Sequence, residues 1–126
     1  MKAREIYSRS LALLGEDPGE NTLPFEKRAL TLINFLLGDV RELDLAVKGE
    51  KYSPYGASLQ LLSLEDETGC AEPIALTLLP LGLASLLINE EEPARSQLFL
   101  QQYNREKESL RVRCRRGRRH KIRRIY

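Results

Sequence analysis

Sixteen consecutive residues, from Pro73 to Ile88, carry no charge, and leucine and isoleucine make up more than half of them. Such a segment must leave water on every side. Spanning a bilayer takes about 20 apolar residues, so this stretch is too short for a membrane anchor and reads instead as the central buried helix of a small bundle. Pro80 stands near its middle and should kink the helix or start a new one, because proline lacks the backbone donor and crowds the preceding turn. The remaining elements must wrap around this segment.

Three amphipathic patterns are available to do so. Ala3, Ile6, Tyr7, Leu11 and Leu14 recur at helical spacing, and Gly15 stands after them as a C-cap. After the turn-forming run Glu16-Asp17-Pro18-Gly19-Glu20-Asn21, Asn21 or Thr22 can cap a second helix with Pro24 in its first turn. Its stripe is Ala29, Leu30, Ile33, Leu36, Leu37, Val40 and Leu43, and Gly38 inside it suggests a close neighbour or a bend. The last helix starts at Pro93 or Ala94 and runs to about Cys114, with Leu98, Phe99, Gln102, Tyr103, Glu106 and Leu110 along one side and Gly117 as its stop. Between the second helix and the uncharged segment, residues 49–69 read as an irregular crossover with one short strand; Tyr52-Ser53-Pro54-Tyr55-Gly56 is loop chemistry. The expected fold is therefore all-α, one bundle of about four helices over residues 1–116 with an extended arm over 117–126.

Charge is divided unevenly along this plan. Residues 111–126 hold nine Arg or Lys and no Asp or Glu; subtracting nine from the net charge of +2 leaves −7 on residues 1–110. A basic arm on an acidic body has reason to seek an acidic surface, whether nucleic acid or protein. Arginine offers planar paired donors to phosphate and carboxylate alike, so the charge alone leaves both open. Ile122, Ile125 and Tyr126 add apolar side chains that a purely phosphate-binding tail does not need and that suit pockets on a protein. The candidate partner-binding residues are Arg115, Arg116, Arg118, Arg119, Lys121, Ile122, Arg123, Arg124, Ile125 and Tyr126.

The inventory for chemistry is poor. His120 is the single histidine and lies in the arm, and no nucleophile elbow, zinc-protease helix motif or phosphate-binding loop occurs. Cys70 and Cys114 stand far apart without metal or redox spacing, which suits two thiols in a reducing compartment. The acidic runs Glu65-Asp66-Glu67 and Glu90-Glu91-Glu92 read as solvated caps rather than an acid and base pair. Gln101, Gln102 and Asn104 fit an interface between copies or a wet helix face equally well. No uninterrupted apolar leader comes after the first methionine, so export by that route is not expected. The expectation is a protein without catalytic, metal or cofactor sites.

The order of short motifs nevertheless resembles a known family. The Ala3-Arg4-Glu5-Ile6-Tyr7 start with Leu11-Ala12-Leu13-Leu14-Gly15, then Arg28-Ala29-Leu30-Thr31-Leu32-Ile33-Asn34, and above all Leu79-Pro80-Leu81-Gly82-Leu83-Ala84-Ser85-Leu86-Leu87 with Phe99 and Tyr103 downstream, resemble the head-tail connector, or adaptor, proteins of tailed bacteriophages and prophages. That resemblance implies a helical subunit without enzymatic activity, found in the virion at the head-tail junction and in the bacterial cytoplasm during assembly. It implies a ring, commonly of twelve copies, beneath the portal, a C-terminal arm that docks on the portal, neighbouring connector and tail proteins as further partners, and contact with packaged DNA. The isolated subunit can be a monomer in this scheme, because an arm ordered on its partner adds stability only there. The rival expectation is a small nucleic-acid-binding protein that uses the arginine-rich tail.

Overall fold

The computed structural model describes residues 1–49 and 60–125, with side chains as far as Arg116. Among the described residues four α-helices account for the fold: α1 (Ala3–Leu14), α2 (Leu23–Lys48), α3 (Leu79–Leu87) and α4 (Pro93–Ile125). No strand occurs among the described residues, so the short strand expected in the crossover is absent there; Lys2 and Glu67 make only an isolated bridge. Leu59, Tyr126 and the loop reading of residues 52–56 fall outside the described residues.

The uncharged segment is the hub, as its composition demands. α3 packs against α1, α2 and α4, and Leu79, Leu83 and Leu87 are essentially inaccessible. A π-helical stretch, Ile74–Leu78, runs straight into α3 with Pro80 in the first turn of the latter. The widened turn explains how a helix tolerates proline here: the Leu79 N–H reaches back to the Ile74 carbonyl, and the looser winding relieves the crowding that Pro80 would impose on a regular turn. The helix is continuous from 72 to 87, so Pro80 neither ends it nor starts a new one; the π turn before it absorbs the proline.

Hydroxyl groups fasten this apolar hub to its neighbours. Ser10 of α1 donates to the Ile6 and Pro80 carbonyls, both at 3.0 Å. Ser85 donates to the Ser96 carbonyl at 2.9 Å, and Ser96 returns a bond to the Ser85 carbonyl at 2.8 Å. These serines are buried, and each small hydroxyl lets two helices approach closely while remaining satisfied.

Helix direction is set by a few cross-links. Arg28 on the second turn of α2 donates to the Leu87 carbonyl, and Arg95 on the first turn of α4 donates to the carbonyls of Leu13 and Leu14. The ends of α1 and α3 therefore meet the starts of α2 and α4. α1 and α3 run one way, α2 and α4 the other. Gly15 ends α1 and Gly49 ends α2 with positive φ of 74° and 78°, the left-handed conformation that glycine takes without penalty.

The described part of the crossover is ordered by both helices beside it. Asn34 on α2 grips the Leu61 backbone twice, accepting from its N–H at 2.8 Å and donating to its carbonyl at 3.0 Å. Further along α2, Asp44 accepts from the Ala71 N–H at 2.7 Å and pairs with Lys48 at 3.0 Å. Between these anchors the chain crosses the start of α1, where the carbonyls of Leu64 and Asp66 accept from the N–H groups of Arg4 and Ala3 at 2.8 and 3.0 Å. Two of the unpartnered donors at a helix start are satisfied by backbone instead of a capping side chain. Of the acidic run, Glu65 pairs with Arg4, and Asp66 accepts from the N–H groups of Leu62 and Ser63.

Several sequence expectations need correction. Thr22 does not cap α2 with its side chain; its hydroxyl is spent on Gly19, exchanging two bonds of 3.0 Å. Gly38 has nothing within 4 Å of where a Cβ would stand, so it is not a close-packing residue, whereas a Cβ at Gly82 would lie 2.8 Å from a Leu36 methyl. On α4, Leu98 is 60% exposed and Gln102 is exposed; the buried line is Ser96, Tyr103 and Leu110, flanked by half-buried Phe99 and Cys114.

Candidate functional site

The largest correction concerns the arm. α4 does not stop at Gly117 but continues as helix to Ile125, so the expected extended arm has a helical backbone. Glycine in a helix costs only about 1 kcal/mol relative to alanine. Against that, arginine is a good helix former, and cations near a helix C-terminus are favoured by its dipole.

The base of the arm is fixed by a polar knot between α2 and α4. Tyr103 donates its hydroxyl to Asp39 Oδ2 at 2.5 Å, and Lys107, one turn on, donates to the same oxygen at 2.8 Å. The Lys107 ammonium also lies 5.6 Å from the centre of the Tyr103 ring. Burial would raise the Asp39 carboxyl, but the Lys107 and Tyr103 hydrogen bonds outweigh it and hold the group below its ordinary value. Burial, and then the hydrogen bond to Asp39, push the Tyr103 hydroxyl far above the ordinary phenol range. Asp39 is thus a fixed anion and Tyr103 a fixed donor.

This knot sets the register in which the arm leaves the body. One turn beyond it, Leu43 and Ala46 of α2 share a small cleft of about 270 Å³ with Arg111, Cys114 and Arg115 of α4, with Asp39 and Glu42 at its rim. Asp39 is level with Lys107, so Lys48, the last residue of α2, comes level with about Arg116. The nine residues from Gly117 to Ile125 then project about 14 Å past the end of α2.

Among the ten residues singled out from the sequence, Arg115 and Arg116 are exposed at the point of departure. Arg118, Arg119, Lys121, Ile122, Arg123, Arg124 and Ile125 occupy the projecting helix, and Tyr126 lies outside the described residues. Sequence reasoning missed Asp39 and Lys107. No local signal marks a pair 68 positions apart that meets only when α2 and α4 run side by side. Gln101, Gln102 and Asn104 are exposed on α4.

A second concavity, of about 640 Å³, lies on the outer side of α2, lined by Phe35, Gly38, Arg41, Asp44 and Cys70 among others. Phe35 is 67% exposed there. Cys70 is a free, half-buried thiol, and burial pushes it up to about 11, which keeps it protonated. Among the described residues no group of three His, Cys, Asp or Glu side chains could hold a metal ion, and no helix is long and apolar enough to cross a membrane.

Fold and site together define the class: a small all-α bundle built on an apolar hub helix, with a basic helix projecting from one end. No protein-family model, curated protein or solved structure matches the chain.

Proposed function

We propose that the chain is a non-enzymatic connector subunit of the kind found at the head-tail junction of tailed bacteriophages, and that its α4 arm docks on the portal protein. The observation that carries this reading is the arm itself. A basic helix continues past the end of the body from a base locked by Asp39, Tyr103 and Lys107. A rigid base with a projecting charged element suits an adaptor, because the partner meets a preorganised arm and less freedom is lost on docking. The family-like motifs support it as well. The Leu79-to-Leu87 segment is the hub helix, and Tyr103 of the Phe99 and Tyr103 pair is the residue that locks the arm.

Ile122 and Ile125 supply the apolar contacts of the docked arm in this reading, and the arginines select an acidic partner surface. Assembly is a ring of copies on the portal, formed from subunits that are monomeric before they meet it.

The test is binding of the full chain, and of a version ending at Arg116, to the portal encoded in the same genome at near-physiological salt. The full chain is expected to bind and the shortened one to fail while keeping its helical content and unfolding temperature. Equal binding by both versions would remove the arm from the mechanism, and the absence of any binding would refute the connector reading.

A further inference from the structure

We propose that the projecting helix of α4 binds duplex DNA by lying in the major groove, an activity that stands apart from portal docking and does not rest on it. The reason is the distribution of charge around a helical backbone. The projecting residues 117–125 are helical, and at 100° per residue their five basic positions, 118, 119, 121, 123 and 124, circle the axis with no gap wider than about 100°. The pairs Arg111 and Arg115, Arg115 and Arg119, and Arg119 and Arg123 are each four apart and so share a face. Glu108, the last acidic residue, pairs with Arg111 at 3.6 Å, and no acidic side chain stands among the five basic residues that follow Gly117.

A helix docking on a flat acidic protein surface needs basic residues on one side only. A helix charged all round fits a partner that rises on both sides of it, as the two phosphate strands do beside a groove. The B-form major groove is about 12 Å wide and admits a helix of about 10–12 Å diameter, whereas the A-form major groove is too narrow. Duplex DNA carries one charge per about 1.7 Å, so the roughly 14 Å of helix beyond α2 faces about eight phosphates. Five basic residues stand on that stretch, Arg118, Arg119, Lys121, Arg123 and Arg124, enough to neutralise more than half of those phosphates. The acidic body, at −7, is repelled by the same phosphates and leaves the arm as the point of entry.

The binding is expected to be independent of base sequence, and a portal that engages the arm should compete with it. If about five phosphates are neutralised, the affinity should fall about 500-fold between 50 and 200 mM salt.

The experiment uses the full chain and a 20-base-pair DNA duplex, with single-stranded DNA, an RNA duplex and polyglutamate as competitors. Two variants separate helix from charge. Gly117→Pro keeps every basic residue but breaks the helix where it leaves the body, and Gly117→Ala keeps the helix. Gly117 is beyond the end of α2, so both should unfold at the temperature of the parent, which circular dichroism checks. The proposal expects steep salt dependence, loss of binding on ending the chain at Arg116, at least tenfold weaker binding by Gly117→Pro, and undiminished binding by Gly117→Ala. It is overturned by absence of duplex binding at 50 mM salt, by Gly117→Pro binding within twofold of the parent, or by polyglutamate displacing the duplex at equal charge concentration.

Discussion

Gly38 and Gly82 both lie inside helices, and the same substitution at each should move stability in opposite directions. In a helix interior alanine is favoured over glycine by about 1 kcal/mol, which is the whole expected effect of Gly38→Ala because a Cβ there meets nothing within 4 Å. At Gly82 the new carbon would lie 2.8 Å from Leu36 Cδ2 and 3.1 and 3.2 Å from two carbons of the Tyr103 ring. Leu36 is 3% exposed and has little room to retreat. Tyr103 is held in place by its hydrogen bond to Asp39, so moving the ring also strains the knot beneath the arm. Overpacking of this kind costs about 1–3 kcal/mol. After the helix-propensity gain is subtracted, Gly82→Ala should be destabilising by about 1 kcal/mol and Gly38→Ala stabilising by a similar amount. The two variants should differ by about 2 kcal/mol, or about 8 °C in unfolding temperature for a chain of this size. Urea titration of both, monitored by circular dichroism, measures the difference directly. If Gly82→Ala proved as stable as Gly38→Ala, the close approach of α2, α3 and α4 at Gly82 would be wrong, and with it the register that carries the arm past α2.

The polar groups lead to three more expected outcomes. The depressed Asp39 carboxyl contributes stability that is fully present above the ordinary carboxylate range and is lost as pH falls through its folded value. Asp39→Asn should therefore be less stable than the parent at pH 7, with the gap closing toward pH 3 in denaturation curves taken across that range. A constant gap would show that the charge is not what stabilises the knot. Asn34→Ala removes both bonds to the Leu61 backbone and should cost about 1–2 kcal/mol, with faster hydrogen exchange at the Leu61 amide; unchanged exchange there would mean that Asn34 does not anchor the crossover. Cys70, pushed up to about 11 by burial, should react with iodoacetamide at pH 8 far more slowly than in the urea-unfolded chain, and equal rates would contradict its burial.

The four-helix plan is legible in the sequence because each helix announces itself locally. All five apolar residues read on α1 are buried, and on α2 the residues Ala29, Ile33, Leu36, Val40 and Leu43 are buried as expected. The uncharged run forces a central helix, since no other position in so small a bundle removes most of it from water. The basic character of the arm is equally local, a matter of nine residues without a carboxylate among them.

What tertiary structure decided is of a different kind. Gly117 reads as a stop because glycine is a common helix terminator, yet whether a helix ends there depends on the residues beyond it and on how the preceding turns are held. Leu98 and Phe99 are neighbours of similar hydropathy, and only the packing of α4 on the hub determines that Leu98 stays out while Phe99 is half covered. Gly38 and Gly82 carry no sequence mark that separates them, because close packing belongs to the neighbouring helix and not to the glycine. The Asp39, Tyr103 and Lys107 knot joins residues more than sixty positions apart. Local sequence specified the helical segments as far as Gly117 and where the charge lies; the parallel run of α2 and α4 decided which polar groups meet and how far the arm projects, because those depend on a register set by side chains from three helices at once.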